Sequence, residues 1–189
     1  MTNHNLKSYL ITDPKYYSND KKLFKNNLTK VLKNHKINLA CFRDKESSNF
    51  KELASIFIET CKIFNIEKIL LNGNHLLSHE LKATGVHLTS TQFDKIKEAK
   101  ELDLYVIISC HSLSDIQIAL DNKVDAVSFS PIFETPNKGE PKGVIPLEEA
   151  VNTFKDINIF ALGGIINENQ IEQISKTKAY GFASIRYFV

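Results

Sequence analysis

The residues best suited to chemistry are concentrated in Pro131-Ile-Phe-Glu-Thr-Pro-Asn-Lys-Gly-Glu-Pro-Lys-Gly-Val-Ile-Pro146, which holds four of the five prolines and two of the seven glycines. Proline removes backbone donors and fixes φ, so the stretch is expected to be a long, stiffened loop rather than a helix or a central strand. Thr135 offers a hydroxyl, Asn137 an amide, and Lys138 and Lys142 ammonium groups, beside the flexible Gly139 and Gly143. Such donors next to glycine backbone suit a phosphate or a carboxylate. A second candidate is Gly163-Gly164, directly after the apolar run Ile159-Phe-Ala-Leu162. Glycine there lets the backbone approach an anion with no Cβ in the way. Arginine is scarce: of 24 cationic side chains only Arg43 and Arg186 are guanidinium groups, and both fall near the ends of predicted strands. Arg43 and Lys45 alternate along one strand end, which allows both to face the same side.

The elements that must position these groups alternate in type. Strands are expected at 8–12, 37–42, 69–72, 86–88, 105–109, 126–129, 159–162 and 181–185. Between them run amphipathic segments: Phe24, Leu28, Val31 and Leu32; Leu53, Phe57, Cys61 and Phe64; Phe93, Ile96, Ala99 and Leu102; Leu147, Ala150, Val151 and Phe154. A shorter helical segment is expected from Leu76 to Leu81. Ser112-Leu-Ser-Asp115 and Asn167-Glu-Asn-Gln170 read as helix N-terminal caps. Eight β/α units with near-continuous apolar strands imply a parallel sheet closed as a (β/α)8 TIM barrel, with an open doubly wound sheet as the alternative. At 189 residues this would be a minimal barrel, one domain over 1–189, with the last helix absent, because Val189 follows the eighth strand closely.

In such a barrel function gathers where strands end. Those positions hold Arg43, Lys45, Asn72, Ser109, the 131–142 loop, Gly163, Gly164, Ile185 and Arg186. Cations, hydroxyls and glycines near the last two loops point to a phosphorylated small molecule. Asn72 either meets the ligand or fixes its own turn. His87, inside the fourth strand, could equally be a core histidine, and His111 could simply orient its loop; His75 and His79 are expected at the surface.

Composition narrows the class. A net charge of +2 with dispersed lysines argues against a nucleic-acid partner, and no apolar run is long enough to span a membrane. Cys41, Cys61 and Cys110 have neither disulfide-framework nor zinc-site spacing and read as small core residues, with Cys110 close enough to the mouth to be reactive. With no signal-peptide pattern at the N-terminus, a cytoplasmic protein is the expectation.

Tyr9-Leu-Ile-Thr-Asp13, Phe42-Arg-Asp-Lys45, Gly85-Val-His-Leu88, Ser109-Cys-His-Ser112, Pro131-Ile-Phe-Glu-Thr-Pro-Asn-Lys138 and Ala161-Leu-Gly-Gly-Ile165 occur in that order. Together they resemble the thiamine-phosphate synthase and thiazole tautomerase family over nearly the whole chain. The resemblance implies a barrel acting in thiamine biosynthesis on a thiazole phosphate or carboxythiazole phosphate. A synthase would join a pyrimidine diphosphate to the thiazole phosphate with magnesium, but the family's two metal-binding aspartates fall here at Gly73 and within Thr89-Ser-Thr-Gln92, and its glutamine at Cys41. Asp13 or Asp44 would then have to serve as displaced ligands.

A tautomerase, which needs no cofactor, fits Leu71-Asn-Gly73 and Ile132-Phe-Glu-Thr135, although its acid/base histidine aligns with Pro131. The expectation is therefore a tautomerase-like isomerase, with His111, His87 and Glu134 as substitute proton carriers in that order. The alternatives are a synthase, using magnesium, or a catalytically silent barrel that binds the thiazole phosphate, delivers it, or supports a partner enzyme. Thr135, Asn137, Lys138 and Gly164, with backbone near Ile185 and Arg186, are expected to hold the phosphate. The missing last helix would leave the wall of strand eight exposed, and a homodimer is expected to cover it.

Overall fold

Residues 6–136 and 138–189 are described by a computed structural model. Eight strands, β1 (Lys7–Ile11), β2 (Leu39–Phe42), β3 (Lys68–Asn72), β4 (Gly85–Leu88), β5 (Tyr105–Cys110), β6 (Ala126–Phe129), β7 (Asn158–Leu162) and β8 (Gly181–Ser184), pair in parallel in sequence order. β8 returns to β1, with Tyr9 opposite Ala183, so the sheet is a closed barrel. The open-sheet alternative is thereby excluded.

Helices connect successive strands: α1 (Pro14–Tyr17) and α2 (Lys21–Asn34) follow β1, and α3 (Phe50–Ile63) and α4 (His75–Glu80) follow β2 and β3. A 3-10 turn, Phe93–Lys95, leads into α5 (Ile96–Glu101), and α6 (Leu113–Asp121), α7 (Val144–Thr153) and α8 (Glu168–Lys176) follow β5, β6 and β7.

The two-residue period of the strands sorts the core into two layers. Leu10, Ala40, Leu71, Val86, Val106, Val127, Ile159 and Phe182 point outward and pack under the helices. Tyr9, Ile11, Leu39, Cys41, Leu70, Ile107, Ala126, Phe160 and Ala183 point inward and fill the barrel. Ser112 and Asp115 form a reciprocal capping box on α6. Asn167 caps α8 by accepting from Gln170 N, while the Gln170 side chain reaches back to Ile166 N and Gly164 O.

Four features differ from the sequence expectation. The 131–146 segment is not wholly loop: α7 begins at Val144 and takes Pro146 into its first turn, where a missing N–H breaks no helical bond. α1 is an additional short helix, capped by Asp13 accepting from Lys15 N. His75 is buried beside Glu98 rather than at the surface, its Nε2 lying 3.0 Å from Glu98 Oε2.

The fourth concerns the wall of β8, which is covered by the chain's own last residues. Phe182 is 5% and Phe188 3% exposed, their rings stack at 5.9 Å, and the His35 ring meets Phe188 edge-on. The exposed wall that motivated a homodimer is therefore absent. What remains beside it is a mixed polar and apolar cleft of about 420 Å³ between the end of α2 and α8. Among the described residues no helix is long and apolar enough to cross a membrane.

Candidate functional site

The inward face of each strand, continued past its C-terminal end, forms the mouth of the barrel. Arg43 follows β2, Asn72 ends β3, Thr89 follows β4, Ser109 lies on β5, Ser130 follows β6, and Ile185 follows β8. Strand register thus brings together six side chains that are far apart in sequence.

The β1–β2 side carries charge. Arg43 Nη1 donates to Asp13 Oδ2 at 2.8 Å, both side chains 28% exposed. The ends of the two strands are tied by Thr12, whose Oγ1 accepts from Arg43 N at 2.9 Å. Lys45 is exposed just beyond. Partial burial opposes ionisation of Asp44, but the Ser47 side chain, the backbone N–H groups of Glu46 and Ser47, and Arg43 together hold its carboxyl below the ordinary value. Asp13 and Asp44 are thus engaged in an ion pair and a turn.

The β3–β4 side is closed by amides. Asn72 Nδ2 and Gly73 N both donate to His87 O, at 3.1 and 2.9 Å. Gln92 Nε2 donates to Gly73 O at 2.9 Å, and its Oε1 accepts from Thr89 N and Thr89 Oγ1 at 3.0 Å each. Asn72 thus fixes its own strand end. Magnesium takes hard oxygen donors, usually one or two carboxylates. Gly73 has no side chain, and the one oxygen of Gln92 is already saturated by Thr89. Among the described residues no three His, Cys, Asp or Glu side chains come together as a metal site. The residues present do not fit a magnesium ion at this place.

The β6–β7 side carries the glycine pair. Gly163 (φ +101°) and Gly164 (φ +70°) adopt a left-handed backbone. A Cβ on Gly163 would sit 2.8 Å from Pro131 Cα and 3.2 Å from Thr135 Oγ1, and one on Gly164 would sit 2.5 Å from Glu134 O. Only glycine allows the 131–135 loop to lie directly on β7. Ile132 N and Phe133 N donate to Leu162 O and Gly163 O, and Thr135 Oγ1 donates to Phe133 O at 2.9 Å. Gln170 holds the Gly164 carbonyl from behind. Thr135, Gly163 and Gly164 are therefore brought together as expected. Glu134 and Lys138 are exposed, Arg186 is half-buried, and Asn137 lies outside the described residues. Lys142 turns outward, its Nζ 5.4 Å from the centre of the Phe129 ring.

His87 lies beneath the mouth rather than in it. It is 2% exposed, and burial, with Arg43 nearby, lowers its pKa to about 4, so the imidazole is neutral. Its Nδ1 is 2.8 Å from Tyr9 Oη, and its Nε2 is 3.1 Å from Ser128 Oγ and 3.2 Å from Ser109 Oγ. Both ring nitrogens are thus occupied inside the barrel, and His87 reaches the mouth only through Ser109. His111 is exposed at the rim, where Nδ1–H donates to Ser130 O at 3.1 Å. Cys110 is buried, and burial followed by Asp115 pushes its thiol up to about 12; it is an inert core residue rather than a reactive one. Sequence reasoning missed Tyr9, Ser128 and Ser130, whose roles depend on strand register.

The chain is a (β/α)8 barrel with a guanidinium, a glycine pair and hydroxyl groups at the C-terminal ends of its strands. Comparison with known proteins makes this specific. The family model described as "Thiamine monophosphate synthase" matches residues 8–188. The chain is 32% identical to a thiamine-phosphate synthase from Anoxybacillus flavithermus over 139 residues, 70% of this chain and 62% of that protein. A synthase from Prochlorococcus marinus is 32% identical over 66% of this chain and 35% of its own length. The chain thus aligns with less than two thirds of these two relatives. Thiamine-phosphate synthase 1 of Streptococcus pneumoniae is 29% identical over 79% of this chain and 75% of its own length. A solved thiamine phosphate pyrophosphorylase from Pyrococcus furiosus matches with a TM-score of 0.80 at 21% identity, over 95% of this chain and 85% of that one, which shows the shared fold. The chain belongs to the thiamine monophosphate synthase family. All three of these relatives are named as synthases, which favours the synthase alternative over the tautomerase-like isomerase expected from the sequence.

Proposed function

We propose that the chain binds a thiazole phosphate at the mouth of its barrel and joins it to a pyrimidine diphosphate, releasing pyrophosphate and forming thiamine phosphate. The observation that carries this reading is the seat made by Gly163, Gly164 and Thr135, opposite Arg43, in a chain whose residues 8–188 match the family. The phosphate sits against the glycine backbone and the Thr135 hydroxyl, with Lys138 and the Ile185–Arg186 backbone at its edge. Negative charge that builds on the departing diphosphate is met by Arg43 and Lys45 across the mouth. Ser109 contacts the ligand between the two.

A second reading is a barrel that binds thiazole phosphate without coupling, and one observation favours it: Gly73 and the hydrogen-bonded Gln92 stand where the family resemblance places carboxylates. An isomerase would depend on His111, with Glu134 as the other exposed group. The purified chain, given both substrates and Mg²⁺, is expected to yield thiamine phosphate and pyrophosphate in equal amounts above a matched blank. Thiazole-phosphate binding without product selects the second reading, and solvent proton exchange into carboxythiazole phosphate selects the isomerase. Absence of binding and of all turnover overturns the assignment of the mouth.

A further inference from the structure

The buried group at the centre of the barrel has a direction that its neighbours dictate. Tyr9, His87, Ser128 and Ser109 form a continuous chain of polar atoms through an otherwise apolar interior. The ionisable groups around it are Tyr9 and Cys41, both held protonated by burial, and the Arg43 guanidinium at the mouth. A phenol that keeps its proton is a better donor than acceptor, so Tyr9 Oη donates to His87 Nδ1. The single imidazole proton then resides on Nε2 and is directed at Ser128 Oγ and Ser109 Oγ, at 3.1 and 3.2 Å. Ser128 Oγ is fully buried and donates in turn to Ser109 Oγ at 3.4 Å. Ser109 receives from both, and it is the member of the chain that reaches the partly exposed mouth. Its own hydrogen is left to point outward.

We propose that His87 is a positioning residue: locked by Tyr9 as the Nε2–H tautomer, it turns the Ser109 hydroxyl so that its hydrogen faces the mouth and donates to an acceptor atom of the bound ligand. This rests on the mouth being the ligand site. The chain of hydrogen bonds makes Ser109 a donor rather than an acceptor, so the mouth floor favours ligands that present a lone pair there over those that present N–H or O–H. Tyr9, which never touches the ligand, acts through two intermediaries.

Two measurements test this. Nitrogen-15 NMR of histidine-labelled protein should show for His87, told apart from the buried His75 by its loss in His87→Gln, a protonated Nε2 and an acceptor Nδ1. In Tyr9→Phe that resonance should shift toward mixed tautomers. A protonated Nδ1 at His87 in the parent protein overturns the proposal without any ligand being involved.

Calorimetry with thiazole phosphate and with the pyrimidine diphosphate, separately, on the parent, Tyr9→Phe, Ser109→Ala and the double variant supplies the functional half. Ser109→Ala should weaken one of the two ligands about three- to tenfold, the range of a net hydrogen bond. Tyr9→Phe should weaken the same ligand about two- to fivefold and have no further effect in the Ser109→Ala background. Additive losses would mean that Tyr9 acts through packing alone and would overturn the proposal. If the parent binds neither compound, the reading of the mouth fails, while the tautomer measurement still decides the hydrogen-bond chain.

Discussion

Lowering the pH should weaken this barrel in part through one buried residue, by an amount that follows from its surroundings. In an unfolded chain His87 would take up a proton near pH 6.5, whereas in the fold it does so only at about 4, because burial, then Arg43, disfavours imidazolium. Between these values the unfolded state binds more protons than the folded one. The contribution of the neutral imidazole is therefore complete above pH 6.5 and is lost as the pH falls toward 4, at up to about 1.4 kcal/mol per pH unit. Across the whole interval the loss is about 3 kcal/mol, against a typical domain stability of ~5–15 kcal/mol. His87→Gln abolishes the titration, while every other ionisable group is common to both proteins. Urea unfolding at several pH values from 7.5 to 4.5 should show the variant less stable at neutral pH, with the difference shrinking by about 2–3 kcal/mol at the acidic end. Parallel stability curves for the two proteins would refute the reasoning and mean that the fold leaves the imidazole exposed.

Gly73→Asp puts a carboxylate at the mouth beside Gln92, at a φ of +72° that Asp tolerates better than most side chains. Pyrophosphate release in this variant should rise more steeply with MgCl₂ than in the parent, and superimposable titrations would remove Gly73 from the diphosphate side of the mouth. Lys138→Ala should weaken thiazole-phosphate binding roughly tenfold, the scale of one charge-assisted hydrogen bond. Calorimetry at matched ionic strength checks this, and an unchanged affinity assigns Lys138 to solvent.

Most of the framework could be read from the residues because each strand is a short apolar run and each long helix has a stripe of large side chains at helical spacing. Leu53, Phe57 and Cys61 are all buried on α3, as their spacing implied. The misreadings have local physical causes. Pro146 looked like a helix breaker but stands in the first turn of α7, where proline is tolerated. The apolar wall of β8 implied a partner because nothing in the spacing of the last residues shows Phe188 folding back onto Phe182.

At the mouth, the grouping of Thr135 with Gly163 and Gly164 was legible, since glycine pairs and hydroxyls at strand ends have a direct chemical meaning. The role of His87 was not, because it is set by three hydroxyls on β1, β5 and β6 that only register brings within reach. Nor does the run Thr89-Ser-Thr-Gln92 show by itself that the Gln92 amide is spent on Gly73 and Thr89.

The central claim is that a thiazole phosphate occupies the mouth against Gly163, Gly164 and Thr135, and calorimetry on the parent chain beside Gly164→Ala tests it most directly. A Cβ at Gly164 would lie 2.5 Å from Glu134 O and 2.6 Å from Phe133 O, so the 131–135 loop must lift from β7. The account predicts saturable one-site binding in the parent and at least about tenfold weaker binding in the variant, from a left-handed backbone strained by roughly 1–3 kcal/mol. Circular dichroism should show the barrel itself intact. No binding by the parent, or equal affinity in a folded variant, would contradict it.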